Sequence, residues 1–164
     1  MNSQPIYMYA ANAQLLAKLV ERHARFVIVG GFAVQFYLPE RQPDDLDLLI
    51  DPVVTNTNLV VDAVNSGALQ NYSFEPAALA KRNIQWPVKN YYYVDILTPD
   101  EATEFECVWA TSVETEVAYQ PSPIRVRVAG ISTLIAMLSS SEDEKHKRDI
   151  ELLGKLDDVH KQKV

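Results

Sequence analysis

Asp45, Asp47 and Asp95 each interrupt an apolar run, in Asp45-Leu46-Asp47-Leu48-Leu49-Ile50 and in Val94-Asp95-Ile96-Leu97. Carboxylates seldom enter such runs without a partner, because burial penalises an unpaired charge. Along a strand the side chains alternate, which places Asp45, Asp47 and Leu49 on one side and Leu46, Leu48 and Ile50 on the other. Two neighbouring carboxylates repel unless a cation or a shared proton relieves them. Oxygen donors of this kind suit Mg2+, which commonly shares its shell with substrate phosphates. Asp95 has two readings: a functional carboxylate, favoured by its context, or a strand-edge aspartate paired with Lys89 or capping a turn.

The elements that must position these carboxylates begin with Phe26–Val29, a short buried strand closed by Gly30-Gly31. Two glycines after a strand make a tight turn. At a strand-to-helix junction they also permit positive φ and let a phosphate approach the main chain without meeting a Cβ, while free helix amides favour the anion. Phe32–Leu38 is apolar nearly all round and compatible by composition with strand or helix. Pro39 and Pro43 break the chain before the Asp45 strand, and Pro52 ends it.

Upstream, Met8, Ala11, Leu15 and Leu19 recur at helical spacing, so residues 8–22 form an amphipathic helix. Leu59, Val60, Ala63 and Val64 predict a helix from Thr55 to Ser66, ended by Gly67. A brief helix is expected at Pro76–Ala80, and strands at Ile84–Val88 and Asn90–Leu97. In the second strand Tyr91, Tyr93, Asp95 and Leu97 share a face. The Tyr91-Tyr92-Tyr93 triplet suits half-buried strand packing better than base stacking. Glu101–Glu106 reads as loop or a short helical turn. Val113–Tyr119 and Ile124–Val128 form a strand pair around Pro121 and Pro123, with Arg125 and Arg127 outward. Ser132 is placed to cap a helix carrying Leu134, Ile135 and Leu138. SSSEDEKHKR reads as a polar linker, followed by a helix over Asp149–Lys161.

Gly30-Gly31, a thirteen-residue interval and then Asp45-Leu46-Asp47-Leu48 resemble the signature of the DNA polymerase beta-like nucleotidyltransferase superfamily. The fuller pattern, Gly30-Gly31-Phe32-Ala33-Val34 and then Arg41 before Asp45-Leu46-Asp47, is most similar to small bacterial members related to abortive-infection and type IV toxin-antitoxin proteins. Pro43 stands where those relatives usually carry threonine, and His146 where their closing helix usually has arginine before Arg148-Asp149.

The resemblance implies an α/β (α+β) nucleotidyltransferase fold, in which Phe32–Leu38 is a short buried helix. It gives a mixed, twisted sheet with flanking helices and a short C-terminal helix pair. The implied chemistry is transfer of a nucleoside monophosphate from a nucleoside triphosphate to a hydroxyl acceptor on a protein, an RNA or a small molecule. Asp45, Asp47 and Asp95 are the implied catalytic and metal-binding residues, holding two Mg2+ ions with the bound nucleotide, and Mn2+ is an expected substitute. Gly30, Gly31, Arg41 and Lys145 are the implied nucleotide-binding residues. The chain lacks the large helical substrate domain of antibiotic-modifying relatives, so the acceptor is expected on a partner protein or a second copy. The alternative is a catalytically silent nucleotide-binding or partner-regulating module of the same fold.

Length and charge narrow the partners. The 164 residues suit one domain, with a helical part at about 130–164. Fifteen Lys+Arg against 22 Asp+Glu give a formal charge of −7, which opposes strong nucleic-acid binding. The polar, mixed start of the chain and the absence of any apolar run of membrane-span length predict no signal segment and no membrane partner. The lone Cys107 excludes an internal disulfide, and a cytoplasmic setting is expected. His23, His146 and His160 show no ligand spacing and are expected to be non-catalytic.

Overall fold

The computed structural model describes residues 5–66, 75–89 and 91–162. It is an α/β structure built on a six-stranded mixed sheet with flanking helices. The strands are β1 (Phe26–Val29), β2 (Leu46–Ile50), β3 (Gln85–Val88), β4 (Val94–Leu97), β5 (Val113–Val117) and β6 (Ile124–Val128), ordered β3-β4-β2-β1-β6-β5. The helices are α1 (Ala10–Glu21), α2 (Gly30–Tyr37), α3 (Val54–Asn65), α4 (Phe105–Thr111), α5 (Ile131–Leu138) and α6 (Glu144–Gln162), with a 3-10 turn at Pro76–Ala80. Among the described residues no helix is long and apolar enough to cross a membrane.

The centre of the sheet follows from alternation. β2 pairs antiparallel with β1 and parallel with β4, in a register that sets Asp47 opposite Val29 on one side and Asp95 on the other. Leu46, Leu48, Ile50, Ile28, Val94 and Ile96 are fully buried on the face turned away from the carboxylates. Each buried Val, Leu or Ile contributes roughly 1.5–3 kcal/mol, so a one-residue slip that exposed this row is strongly disfavoured. Register is thereby fixed by apolar residues, and the aspartates between them are carried to one place.

Two buried asparagines fix the ends of these strands. Asn12 in α1 donates to the Tyr93 carbonyl at 3.1 Å and accepts from the Tyr93 amide at 2.8 Å, seating the chain just before Asp95. Asn56 in α3 donates to the carbonyls of Arg25 and Asp51 and accepts from the Arg25 amide, tying the entry of β1 to the exit of β2. Both side chains bond main-chain groups at the strand ends, supplementing the Leu46–Tyr93 and Asp51–Arg25 main-chain bonds there. α1 ends through His23, whose φ of 58° and whose amide bond to Val20 reverse the chain.

Several sequence expectations are corrected. Asp45 and Tyr91–Tyr93 lie ahead of their ladders; at Tyr93 the main chain pairs with Asn12 and with the Leu46 amide instead of continuing a strand. Phe105–Thr111 is a helix whose Phe105 and Val108, three residues apart, are buried. Gly130, not Ser132, caps α5; Ser132 lies inside the helix and is exposed. The polar stretch after α5 is linker only as far as Asp143, whose carboxylate accepts from the Lys145 amide at 3.0 Å and starts α6 within the charged run. The expected stop at Gly67 and the turn residue Asn90 lie outside the described residues.

Candidate active site

The β1–α2 turn, the segment before β2 and the start of β4 converge on one cleft of about 390 Å³. Gly30, Gly31, Arg41, Asp45, Asp47, Asp95 and Lys145 all line it, so the structure brings every site residue named from the sequence to one place. α5 and the first turns of α6 close its far wall with Leu134, Met137, His146 and Asp149.

Gly30 and Gly31 serve different needs. Gly30 has φ of 66°, and a Cβ there would be driven into the Asp47 carboxylate. Only glycine fits, on conformation and on space alike. Gly31 has no such dihedral, and a Cβ on it would sit 3.3 Å from Pro43 Cβ. Pro43 therefore closes over the turn at the position where the resembling proteins usually have threonine.

Asp47 sits beneath Gly30 with its carboxyl pKa pushed up to about 7, first by burial and then by the neighbouring charge of Asp95. Lys89 opposes the rise only in part. Asp95 is buried, and among the described residues its Oδ1 has no hydrogen-bond partner, although its Oδ2 lies 3.0 Å from Lys89 Nζ. The same Nζ is 2.7 Å from Asp45 Oδ2. Burial works against the Lys89 charge, but its bonds to Asp45 and Asp95 prevail and raise its pKa above the usual lysine value.

The raised Asp47 carboxyl predicts a pH dependence. A carboxyl whose folded pKa exceeds its unfolded value of 3.8 favours the folded state most below that value, and the advantage is lost as pH rises through about 7. In the presence of a chelator, the stability of the wild type relative to Asp47→Asn is expected to fall between about pH 4 and pH 8, by at most about 4 kcal/mol. Urea unfolding of both proteins across that range measures it; parallel curves would show that Asp47 ionises normally.

Among the described residues no three His, Cys, Asp or Glu side chains are gathered closely enough to hold an ion as they stand. The donor chemistry nevertheless suits a divalent cation. Three carboxylates reach one cleft, one buried oxygen of Asp95 lacks a partner among the described residues, and burial beside the Asp95 charge pushes the Asp47 carboxyl up. An oxygen-seeking ion would relieve both the unpartnered atom and the repulsion.

Arg41 and Lys145 are held unequally. Arg41 Nε bonds both oxygens of Asp149 at 3.2 and 3.1 Å, and Nη1 donates to the Gln42 carbonyl at 2.7 Å. Asp149 is buried, so this pair fastens α6 to the segment leading into Asp45. Lys145 is about half exposed and has only a 3.9 Å approach to Asp44. The sequence reading assigned Asp149 no role, and a single aspartate at the buried face of a charged helix carries no local signal of its partner. It also set His146 aside, yet His146 lines the cleft with a buried, unpartnered Nδ1. The tyrosine triplet stays out of the cleft: Tyr92 is fully buried, Tyr91 bonds Gln14, and Tyr93 packs edge-on against Tyr9.

No protein-family model matches the chain, and no curated protein matches it. Among solved structures the chain is similar to an antigenic nucleotidyltransferase-like protein from Paracoccidioides brasiliensis, with 16% sequence identity and a TM-score of 0.50 over 93% of this chain and 79% of that one. At this identity the likeness is one of fold. The chain has a nucleotidyltransferase-like fold.

Proposed function

We propose that the protein is a metal-dependent nucleotidyltransferase that moves a nucleoside monophosphate from a nucleoside triphosphate to a hydroxyl acceptor. One observation carries the reading: the β2–β4 register sets Asp47 beside Asp95 directly under the glycine turn, in a cleft that also holds Asp45. Asp45, Asp47 and Asp95 would hold Mg2+, which offsets triphosphate charge and lowers the pKa of an acceptor hydroxyl. The Gly30-Gly31 turn opens α2, whose N-terminus has no side-chain cap hydrogen bond, and its first main-chain amides can receive phosphate oxygens. Lys145, at the start of α6, supplies a positive charge that among the described residues only a distant Asp44 engages. Arg41 lends further positive potential to the same wall while its Nε stays on Asp149. Asp95 is the group placed to take or steer the acceptor proton, being buried and carrying an unpartnered oxygen.

A silent nucleotide-binding or partner-regulating module is the second reading. It is favoured by Lys89, whose ammonium already engages Asp45 and Asp95. The resemblance to abortive-infection and toxin-antitoxin relatives supports a two-protein setting for either reading, and for the transferase an acceptor on a partner or a second copy.

The test is incubation with each labelled nucleoside triphosphate and Mg2+, with and without hydroxyl acceptors, followed by pyrophosphate detection. Pyrophosphate that requires Mg2+ and disappears in Asp47→Asn is the expected result. Nucleotide binding without pyrophosphate from any pairing would support the silent module instead.

A further inference from the structure

Lys89 is the one residue in the acidic cluster that the nucleotidyltransferase reading leaves without a task. It follows β3 directly, at the mouth of the segment that turns into β4, and its side chain is 36% exposed. The ammonium bridges two carboxylates that come from different strands, at 2.7 and 3.0 Å. Distances this short are those of charge-assisted hydrogen bonds. Asp47, the third carboxylate, feels the same charge without bonding it.

We infer that Lys89 is a built-in counter-ion, which keeps Asp45 and Asp95 assembled in the metal-free protein and must withdraw when a divalent cation enters. The inference rests on the reading of Asp45, Asp47 and Asp95 as metal ligands. Three carboxylates crowded beside a buried strand face would repel one another, and Lys89 supplies the positive charge that holds two of them in position. A divalent ion offers the same oxygens more charge in a smaller volume, so it competes with the ammonium for them. Lys89 can leave readily. Its partial exposure and flexible stem let the ammonium swing to water, or to nucleotide phosphate brought in with the metal, without a backbone change. The consequence is a threshold: an ion arriving alone displaces Lys89 with nothing to receive it, whereas an ion arriving with a triphosphate supplies an anionic partner for the displaced ammonium. Lys89 thus favours the metal-nucleotide complex over the bare metal.

The experiment compares wild type with Lys89→Met, which keeps the length and apolar stem and removes the charge. Mn2+ binding is measured by calorimetry at mildly alkaline pH, without nucleotide and with a non-hydrolysable nucleoside triphosphate analogue. Thermal unfolding is followed in parallel with chelator and with Mn2+. Lys89→Met is expected to bind bare Mn2+ at least tenfold more tightly than wild type, to bind it with the analogue present with a smaller gain, and to melt lower than wild type in chelator but recover with Mn2+. If wild type binds Mn2+ and Lys89→Met binds it equally or less tightly, the counter-ion role is overturned while the metal reading stands. A Lys89→Met protein that melts lower with and without Mn2+ alike would make Lys89 a structural strut. If neither protein binds Mn2+ in either condition, while both bind the analogue, the metal reading fails and this inference with it.

Discussion

Asp95→Asn is expected to bind the Mg-nucleotide within about tenfold of wild type, an allowance of about 1.4 kcal/mol, while losing transfer altogether. The expectation follows from how differently the three carboxylates are placed. Asp47 lies against the glycine turn and Asp45 is open to the cleft, its side chain 43% exposed, so both can serve an ion that arrives on a triphosphate. Asp95 is only 11% exposed at its side chain and has one oxygen free of partners, which suits a group that acts on the acceptor and not on the incoming phosphates. A group used mainly in the transition state lowers turnover when removed and leaves ground-state binding nearly intact.

Folding should survive the change. Asparagine keeps the volume of aspartate and removes the charge that helps push the Asp47 carboxyl up, so one source of repulsion disappears. Its amide can donate to Asp47 where two carboxylates could only share a proton. Lys89 loses one of its two anionic partners, keeps Asp45, and can still donate to the asparagine carbonyl oxygen. Circular dichroism and unfolding of the variant should therefore match wild type closely, and lost transfer is then chemical in origin. Full transfer by Asp95→Asn, on an acceptor that wild type uses, would remove Asp95 from the chemistry.

The placement of these carboxylates was legible because two periodicities agreed with one another. Leu46, Leu48 and Ile50 alternate with Asp47, and Val94 and Ile96 flank Asp95, so burial of the apolar row dictated where the aspartates would point. The pairing of β2 with β4 was not legible in the residues, since nothing in either segment specifies its neighbour. What the sequence did not disclose were contacts made at long separation. Asn12 clamping Tyr93 and Arg41 meeting Asp149 each depend on side chains whose local context is ordinary; of the Lys89 bridge, the Asp95 half was one of the readings of Asp95 and is present, whereas the Asp45 half was not foreseen. Glu144–Arg148 misled for another reason: five charged or polar residues carry no apolar stripe, yet Asp143 at their head supplies the cap that starts a helix. Gly30 and Gly31 were equivalent as letters, and the chain separates them by a single dihedral angle.

A large loss of stability is expected at Asp149. Its side chain is 5% exposed, and that of its partner Arg41 is 21% exposed. The Arg41 guanidinium also holds the Gln42 carbonyl, so Asp149→Ala leaves a mostly buried cation with one neutral acceptor. Removing one partner of a buried pair typically costs about 3–5 kcal/mol, and the residual exposure of Arg41 argues for the lower end. About 3 kcal/mol corresponds to a fall in Tm of roughly 6–12 °C for a chain of this size. The control is Glu151→Ala on the same helix, whose bond to Lys155 joins two exposed side chains and should change stability by about 1 kcal/mol or less. Arg41→Met combined with Asp149→Leu removes both charges and should recover much of the loss, because an apolar pair in this position needs no counter-ion. The function should respond as well. Arg41 lies four residues before Asp45, and releasing α6 from that segment frees the approach to the first carboxylate, so the repaired double variant is expected to melt near wild type and still bind nucleotide more weakly. Equal melting of Asp149→Ala and Glu151→Ala would show that the Arg41 pair is not what holds α6 against the cleft.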